Sequence, residues 1–388
     1  MSGRILVVGD IITDIVAVHS GVIVPDSDTQ ARITTTGGGS GANTAAWLAH
    51  LGVAVDLLGA VGVDPAGEER IAELTEAGVG CGYVVWSRTS PTGTIIVLTD
   101  GQHRTFLTDR GANRELEPSD VDDALEALPD VAHVHLSGYT LLDEASRPAG
   151  LRALTAAAER GLTTSVDAAS AEPLRQAGPD RFLDWTRGVD LLLANVDEAR
   201  VLIGLAGDGD AMEDSSGAQA GARPGPRRAL LDDSPEAIAR ALAHALAGAA
   251  GPTGAAGGRR DDGVDRREAA GAGEATAGPV DRSAGDQAAG QGPDDSDRSE
   301  GKRGPEVVVK LGPGGAVWAR GDEVRSVPAV AATVVDTTGA GDAFAAGLLA
   351  ARRAGADVDA ALAEAVRLGA VAVGLVGGRP PIPGRSPS

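Results

Sequence analysis

Cysteine is nearly missing from this chain: Cys81 is the single one in 388 residues. One thiol cannot build an internal disulfide framework, so a reducing, cytoplasmic setting is expected. Long apolar runs are missing too. No stretch approaches the ~20 residues of a membrane span. The opening Met1-Ser2-Gly3-Arg4 leads into Ile5–Val8, too short an apolar run for a secretion signal. Lysine is almost absent, whereas arginine, alanine and glycine are plentiful. That skew reads as coding bias and carries no function. Positive charge is outweighed, and the net charge of −21 opposes nucleic acid or anionic lipid as a bulk partner. No membrane and no nucleic-acid partner is expected, and an anionic substrate needs a local positive patch.

What is present alternates. Ile5–Val8 reads as a buried strand, Ala42–Leu51 as a helix with a face of alanines, Val53–Gly59 as a strand and Pro65–Ala77 as a helix closed by Gly78. From Pro118 the order is helix Ser119–Leu128, strand His133–Leu136, helix Asp143–Arg160, strand Thr163–Asp167, helix Pro179–Arg187, strand Leu191–Ala194. Strand and helix in alternation predict an α/β fold with a mostly parallel sheet covered on both faces. Ligands of such sheets bind outside the carboxyl ends of the strands.

Two regions break the pattern. Ile15–Val24, Ala31–Thr36, Tyr83–Trp86, Thr94–Thr99 and Arg104–Leu107 are short β runs between turn signals, predicted to form a small antiparallel sheet, a lid within 12–36 and 83–113. Residues 206–304 are nearly devoid of large apolar side chains and cannot offset ordering entropy. They are expected as disordered insertions, about 206–231 and 249–305, around one helix at 234–247 with apolar Ile238, Leu242 and Leu246. The folded core of the chain is then 1–205 with 305–388, and its Pro/Gly-rich tail from Gly377 is expected to fray.

The stretch around which the rest is organised is Asp336-Thr337-Thr338-Gly339-Ala340-Gly341-Asp342, followed by the helical run Ala343–Ala351. A glycine loop at a helix N-terminus offers unpaired N–H groups and a positive dipole end to a phosphate. Asp342 stands where a carboxylate takes a proton from a hydroxyl beside that phosphate. The plain alternative is a capped helix start, with Thr338 or Asp342 as the cap.

Four further signals accompany it. Gly37-Gly38-Gly39-Ser40-Gly41-Ala42-Asn43 lacks the lysine of a P-loop. It does fit a shortened dinucleotide fingerprint over Gly37–Ala42, with Asp56 at the distance of a ribose ligand, although Thr34-Thr35-Thr36 is not a buried strand. Asp14 suits a pair of sugar hydroxyls. Asn195-Val196-Asp197-Glu198 is explained equally well by a capping box or by a carboxylate holding Mg²⁺ through water. Lys310-Leu311-Gly312 with Gly315 is a strand end and glycine loop that could face a nucleotide.

Taken in order, Gly38–Asn43, Gly59–Gly67, Gly111-Ala112-Asn113, Asn195 with Glu198, Gly312 with Gly315, and Asp336–Asp342 resemble the ribokinase-like (PfkB) carbohydrate kinase family over about Arg4–Val376. The resemblance implies a three-layer αβα sandwich with an antiparallel β lid, and an ATP-dependent phosphotransferase acting on a sugar hydroxyl. It implies Asp342 as catalytic base and Gly339, Ala340 and Gly341 as the anion hole. Asp14, Gly38, Gly39, Asn43 and Asn113 would hold the sugar; Asn195, Lys310, Gly312 and Gly315 would line the ATP site. Glu198 would organise Mg²⁺ through water, Asp336 would serve a monovalent cation such as K⁺, and the lid would pair two subunits in a homodimer. Ser40 stands where ribokinases carry lysine, and Ser137 where they carry a substrate glutamate, which counts against ribose itself. A nucleoside kinase is the alternative within the family. A nicotinamide-dependent oxidoreductase using Gly37–Ala42 and Asp56 and a non-catalytic sugar-binding protein are the alternatives outside it.

Overall fold

The computed structural model describes residues 3–100, 104–205, 233–248 and 304–381. The insertions expected at 206–231 and 249–305 lie outside the described residues, apart from 304 and 305.

The first third of the chain weaves between two sheets: β1 (Arg4–Val8), β2 (Ile12–His19), β3 (Ala31–Gly38), α1 (Ser40–His50), β4 (Val55–Leu58), β5 (Ala60–Gly62), α2 (Pro65–Glu76), β6 (Val85–Ser87), β7 (Gly93–Thr99) and β8 (Arg104–Asp109). Regular alternation follows with α3 (Pro118–Ala127), β9 (Val131–Ser137), α4 (Tyr139–Leu142), α5 (Arg147–Glu159), β10 (Thr163–Asp167), α6 (Ala171–Ala177), α7 (Pro179–Trp185), β11 (Leu191–Asn195) and α8 (Val196–Leu202). The last elements are α9 (Pro235–Gly248), β12 (Glu306–Lys310), β13 (Ala316–Arg320), β14 (Glu323–Val327), α10 (Ala340–Arg353) and α11 (Val358–Ala372).

The main sheet has eight strands in the order β14-β13-β12-β11-β10-β9-β1-β4. All pairs from β4 to β12 are parallel, and β13 and β14 add an antiparallel edge. Parallel strands are covered on both faces, so they read as continuous apolar runs. Ile5 and Val7 of β1 face one core with α1, α10 and α11, whereas Leu6 and Val8 face the other with α3, α5, α8 and α9. Close approach on the first side depends on small residues: a Cβ on Gly41 of α1 would meet the Gly9 Cα at 2.7 Å. The result is an αβα sandwich in three layers.

The helix between the two low-complexity stretches is part of this core. Ser234 Oγ accepts from the Ala237 N–H at 3.3 Å, which satisfies one orphan donor of its first turn. Ile238, Leu242 and Leu246 are each no more than 1 % exposed, packed on the face formed by β12 and β13. Its apolar stripe completes a sheet face rather than projecting from an insertion.

Four strands form the lid, in the order β3-β2-β7-β8. Its outer pairs are antiparallel, but the central β2–β7 pair is parallel: β2 follows β1 directly, and β7, which follows β6, runs in the same direction. The run at Tyr83–Trp86, expected within the lid, belongs elsewhere. Val85–Ser87 pairs with β5 beside the main sheet. No helix among the described residues is long and apolar enough to cross a membrane.

Candidate active site

The lid stands over the carboxyl ends of the parallel strands, and between them runs a cleft of about 1190 Å³. Asp10, Asp14, Gly39, Ser40, Asn43, Asp167, Asn195, Glu198, Lys310, Gly312, Asp336, Gly339, Gly341 and Asp342 all line it. Asp14 and Asp342 therefore share one cavity, with β2 contributing the first and α10 the second.

The start of α10 is not closed by any side chain. Gly339 precedes it with φ +72°, a conformation that favours glycine, and a Cβ there would run into the backbone of Gly378. Thr338 does not cap the helix. Its N–H and Oγ1–H both go to Asp336 Oδ1, at 2.9 and 2.8 Å, so Asp336 shapes the loop instead. The other oxygen of Asp336 accepts the Gly377 N–H at 3.1 Å. Asp342 does not cap the helix either. Its Oδ1 accepts the Ser40 hydroxyl at 2.8 Å and its Oδ2 accepts the Asn43 amide at 2.9 Å. The helix tip is left with its positive end turned to the cleft.

Burial raises the Asp342 carboxyl to about 7, with Asp167 adding to the rise and the Asn43 and Ser40 hydrogen bonds and the Lys310 charge opposing it. Burial likewise raises Asp14 to about 6, against the pull of Arg379. Gly38 sits behind Asp14, where any side chain would collide with the carboxylate. Asp10 is tied down by the Ser40 N–H at 3.3 Å, the Gly41 N–H at 3.5 Å and the Ser137 hydroxyl at 3.1 Å.

On the far side of α10, Lys310 Nζ donates to Asp167 Oδ2 at 2.6 Å. Burial pulls its ammonium down, but Asp167 and Glu198 outweigh that and hold it above the ordinary range. The chain has two lysines, Lys302 and Lys310, and only Lys310 is among the described residues. A Cβ on Gly341 would lie 3.3 Å from its Nζ, so this charge stands beside the helix tip. Glu198 takes part in a reciprocal cap: Oε2 accepts the Asn195 N–H at 2.7 Å, and Asn195 Oδ1 accepts the Glu198 N–H at 2.9 Å. Burial raises its carboxyl to about 7, with Lys310 opposing. Among the described residues no cluster of three or more acids, histidines or cysteines is arranged to cage a metal.

Other residues expected at the site stand apart from the cleft wall. Asn113 braces the lid base, with Oδ1 accepting the Ile11 N–H and Nδ2 donating to the Ile11 carbonyl, each at 2.9 Å. Gly315 has φ +93°, and a side chain there would strike the Val327 carbonyl, so the edge hairpin requires it. Ala340 opens α10 but does not line the cavity. The dinucleotide reading of Gly37–Ala42 does not hold. The strand entering the loop is the exposed lid strand β3, not a strand of the parallel sheet, and Asp56 is paired with Arg4.

Two residues of the site, Asp10 and Asp167, went unmarked in the sequence. Asp10 and Asp167 follow from the strand-end rule that picked out Asp14, since Asp167 ends β10 and Asp10 stands two residues past the end of β1. Ser40 was marked only as a departure from the lysine of ribokinases, not as a partner of Asp342. Arg379 lies in the tail expected to fray, yet Nη2 donates to the Gly38 carbonyl at 2.8 Å and its side chain is 13 % exposed. Glycine and proline there shape a close crossing over the site.

A family profile described as pfkB family carbohydrate kinase matches residues 2–225 and 296–385. An ATP-dependent ribose-1-phosphate kinase of Halopiger xanaduensis is 31 % identical over 185 residues, 46 % of this chain and 58 % of that one. A fructokinase of Escherichia coli is 32 % identical over 182 residues, 45 % of this chain and 54 % of that one. The chain thus spans a little over half the length of these relatives. Among solved structures, adenosine kinase from Sinorhizobium meliloti superposes with TM-score 0.67 at 21 % identity, covering 98 % of this chain and 96 % of that one. An E. coli protein provisionally named ribokinase II, in complex with ATP and Mg²⁺, superposes with TM-score 0.65 at 21 % identity over 97 % and 94 %.

Proposed function

The chain belongs to the pfkB family of carbohydrate kinases, and on that premise we propose that it transfers the γ-phosphate of ATP to a hydroxyl of a small carbohydrate. One observation carries the reading. A buried carboxylate, Asp342, stands at an uncapped helix N-terminus and shares its cavity with Asp14.

Phosphoryl transfer asks for positioning and charge stabilisation more than covalent chemistry. Asp342 takes the proton of the acceptor hydroxyl as that oxygen attacks phosphorus, and a carboxyl brought to about 7 is matched to the task near neutral pH. The N–H groups of Gly339–Gly341 and the Lys310 ammonium receive the charge on the transferring phosphoryl oxygens. Asp14 and Asn43 hold neighbouring hydroxyls, and Asn195 and Gly312 line the nucleotide side. The carboxylates of Glu198 and Asp167 suit Mg²⁺, which keeps several waters and needs no protein cage. When bound, that ion neutralises phosphate charge. The lid excludes water that would otherwise compete as acceptor.

A nucleoside acceptor is the second reading, favoured by the lid itself. Val16, Val97 and Phe106 are register partners on three adjacent strands and line the cleft, an apolar surface suited to a base. Side chains alternate across a strand, so Ile33, Ile96 and Leu107 lie on the opposite face, 64 %, 36 % and 54 % exposed. A homodimer through that face belongs to the same proposal. Asp336 already holds the Thr338 and Gly377 N–H groups, and faster turnover in K⁺ than in Na⁺ is expected if it also serves a cation.

The deciding experiment is a coupled ATP-consumption screen over pentoses, hexoses, sugar phosphates, ketodeoxy acids and nucleosides. Turnover with one acceptor class supports the reading and names the substrate. Saturable NADH binding with no ATP binding overturns it.

A further inference from the structure

Arg379 has no part in the chemistry just described, yet the backbone leading to it is tied to the site at the two residues before it. The Gly377 N–H is held by Asp336, and the Gly378 carbonyl accepts the Trp47 indole N–H of α1 at 3.0 Å. From this crossing the Arg379 guanidinium reaches three acceptors. Nη2 donates to the Gly38 carbonyl at 2.8 Å, Nη1 to Glu73 at 3.2 Å, and Nε to Asn43 Oδ1 at 3.3 Å. Glu73 is in turn gripped by Arg70, at 2.9 and 2.8 Å.

Asn43 stands between Arg379 and Asp342. A guanidinium has only donors and an ionised carboxylate only acceptors. The Asn43 amide can serve both in one orientation alone, with Oδ1 toward Arg379 and Nδ2 toward Asp342 Oδ2 at 2.9 Å. A flipped amide would set N–H against N–H and oxygen against carboxylate at once. Without the arginine, no other hydrogen bond among the described residues fixes the choice on that side.

We infer that Arg379 is a positioning residue: it locks the Asn43 amide so that its NH₂ is always presented to Asp342. The catalytic consequence rests on the kinase reading; the orientation of the amide does not. The Asn43 hydrogen bond stabilises the ionised carboxyl of Asp342, which otherwise faces Asp167, Lys310 and the Ser40 hydroxyl. Losing the lock makes Asp342 harder to ionise.

The test is a double-mutant cycle read without substrate, by ¹³C NMR titration of selectively labelled aspartate in the full chain. Arg379→Ala and Asn43→Ala are each expected to raise the Asp342 midpoint by about one pH unit. The double variant is expected to titrate with Asn43→Ala alone, and Arg379→Lys to return toward wild type. An unmoved midpoint in Arg379→Ala, or additive shifts in the double variant, overturns the inference. Should Arg379→Ala fail to fold, Arg379→Met keeps the buried stem without the donors and is held to the same outcomes. With the acceptor found by the screen, kcat is expected to fall about ten-fold in Arg379→Ala at little change in the KM for ATP. A wild-type protein that transfers no phosphate removes the kinase reading and leaves the titration result to stand.

Discussion

Ser40 and Asp342 are 302 residues apart in the chain and joined by a hydrogen bond of 2.8 Å. Ser40 is the first residue of α1 and Asp342 lies in the first turn of α10. Two helix N-termini thus meet at one carboxylate, and the hydroxyl of one helix is hydrogen-bonded to the carboxylate carried by the other.

Asp342→Asn is expected to lower kcat by about 10³-fold, in the range of a lost general base, while ATP affinity by calorimetry stays within about two-fold. Turnover within ten-fold of wild type would reject Asp342 as the base. The substitution also bears on stability. Asp342 is raised from 3.8 to about 7 in the folded protein, so the native state holds this proton more tightly than the unfolded one and stability falls as pH rises across that interval. Thermal melts of Asp342→Asn should show a shallower fall there.

Activity should rise with pH on a limb near 7, because only ionised Asp342 accepts the proton. Ser40→Ala removes a hydrogen bond that favours the ionised form, so its limb should lie at higher pH. A limb unmoved in kcat–pH profiles would separate Ser40 from the base.

Lys310→Met should weaken ATP binding at least about ten-fold and destabilise the protein by about 3 kcal/mol, since it strands Asp167 in a buried site. Asp167 is 6 % exposed. Adding Asp167→Leu should recover stability in denaturant melts but not ATP affinity. Recovery of both would deny Lys310 a role at the phosphates.

Gly339→Ala should abolish detectable turnover. A Cβ there meets the Gly378 backbone in a left-handed conformation, and relief requires the helix tip and the C-terminal crossing to part. Near-normal kcat would show that the tip tolerates displacement.

Leu242→Ala, in the helix between the two low-complexity stretches, should cost about 3 kcal/mol, as for a buried leucine. Leu242 is fully buried in one of the two cores. A change below about 0.5 kcal/mol would place α9 outside the cooperative unit.

Much of this was legible along the chain, and the limits have physical causes. The parallel strands announced themselves because burial on both faces demands unbroken apolar runs such as Leu191–Ala194. The glycine loop before α10 was legible as a loop because the left-handed turn at Gly339, packed on the Gly378 backbone, needs a residue without Cβ. Tyr83–Trp86 was misplaced because short β runs carry no mark of their partner, and β6 differs from its neighbours only in pairing with β5. Asn113 looked like a sugar ligand because an amide that braces a backbone and one that binds a hydroxyl are the same residue. The helix within Ala206–Pro305 was legible from its cap and spacing, but its place in the core was not, because three apolar side chains make a core helix only when a sheet face is open to them.

By itself the sequence determined what local chemistry can dictate: which segments alternate, and where glycine loops lead into helices. Tertiary structure alone decided what depends on distance through space: that Ser40 and Asn43 close on Asp342, that Lys310 finds Asp167, and that a Gly/Pro tail returns Arg379 to the first glycine loop. Hydrogen bonds and charges act over a few ångströms, whereas these partners are separated by 143 to 341 positions along the chain, and no local pattern encodes a meeting at that range.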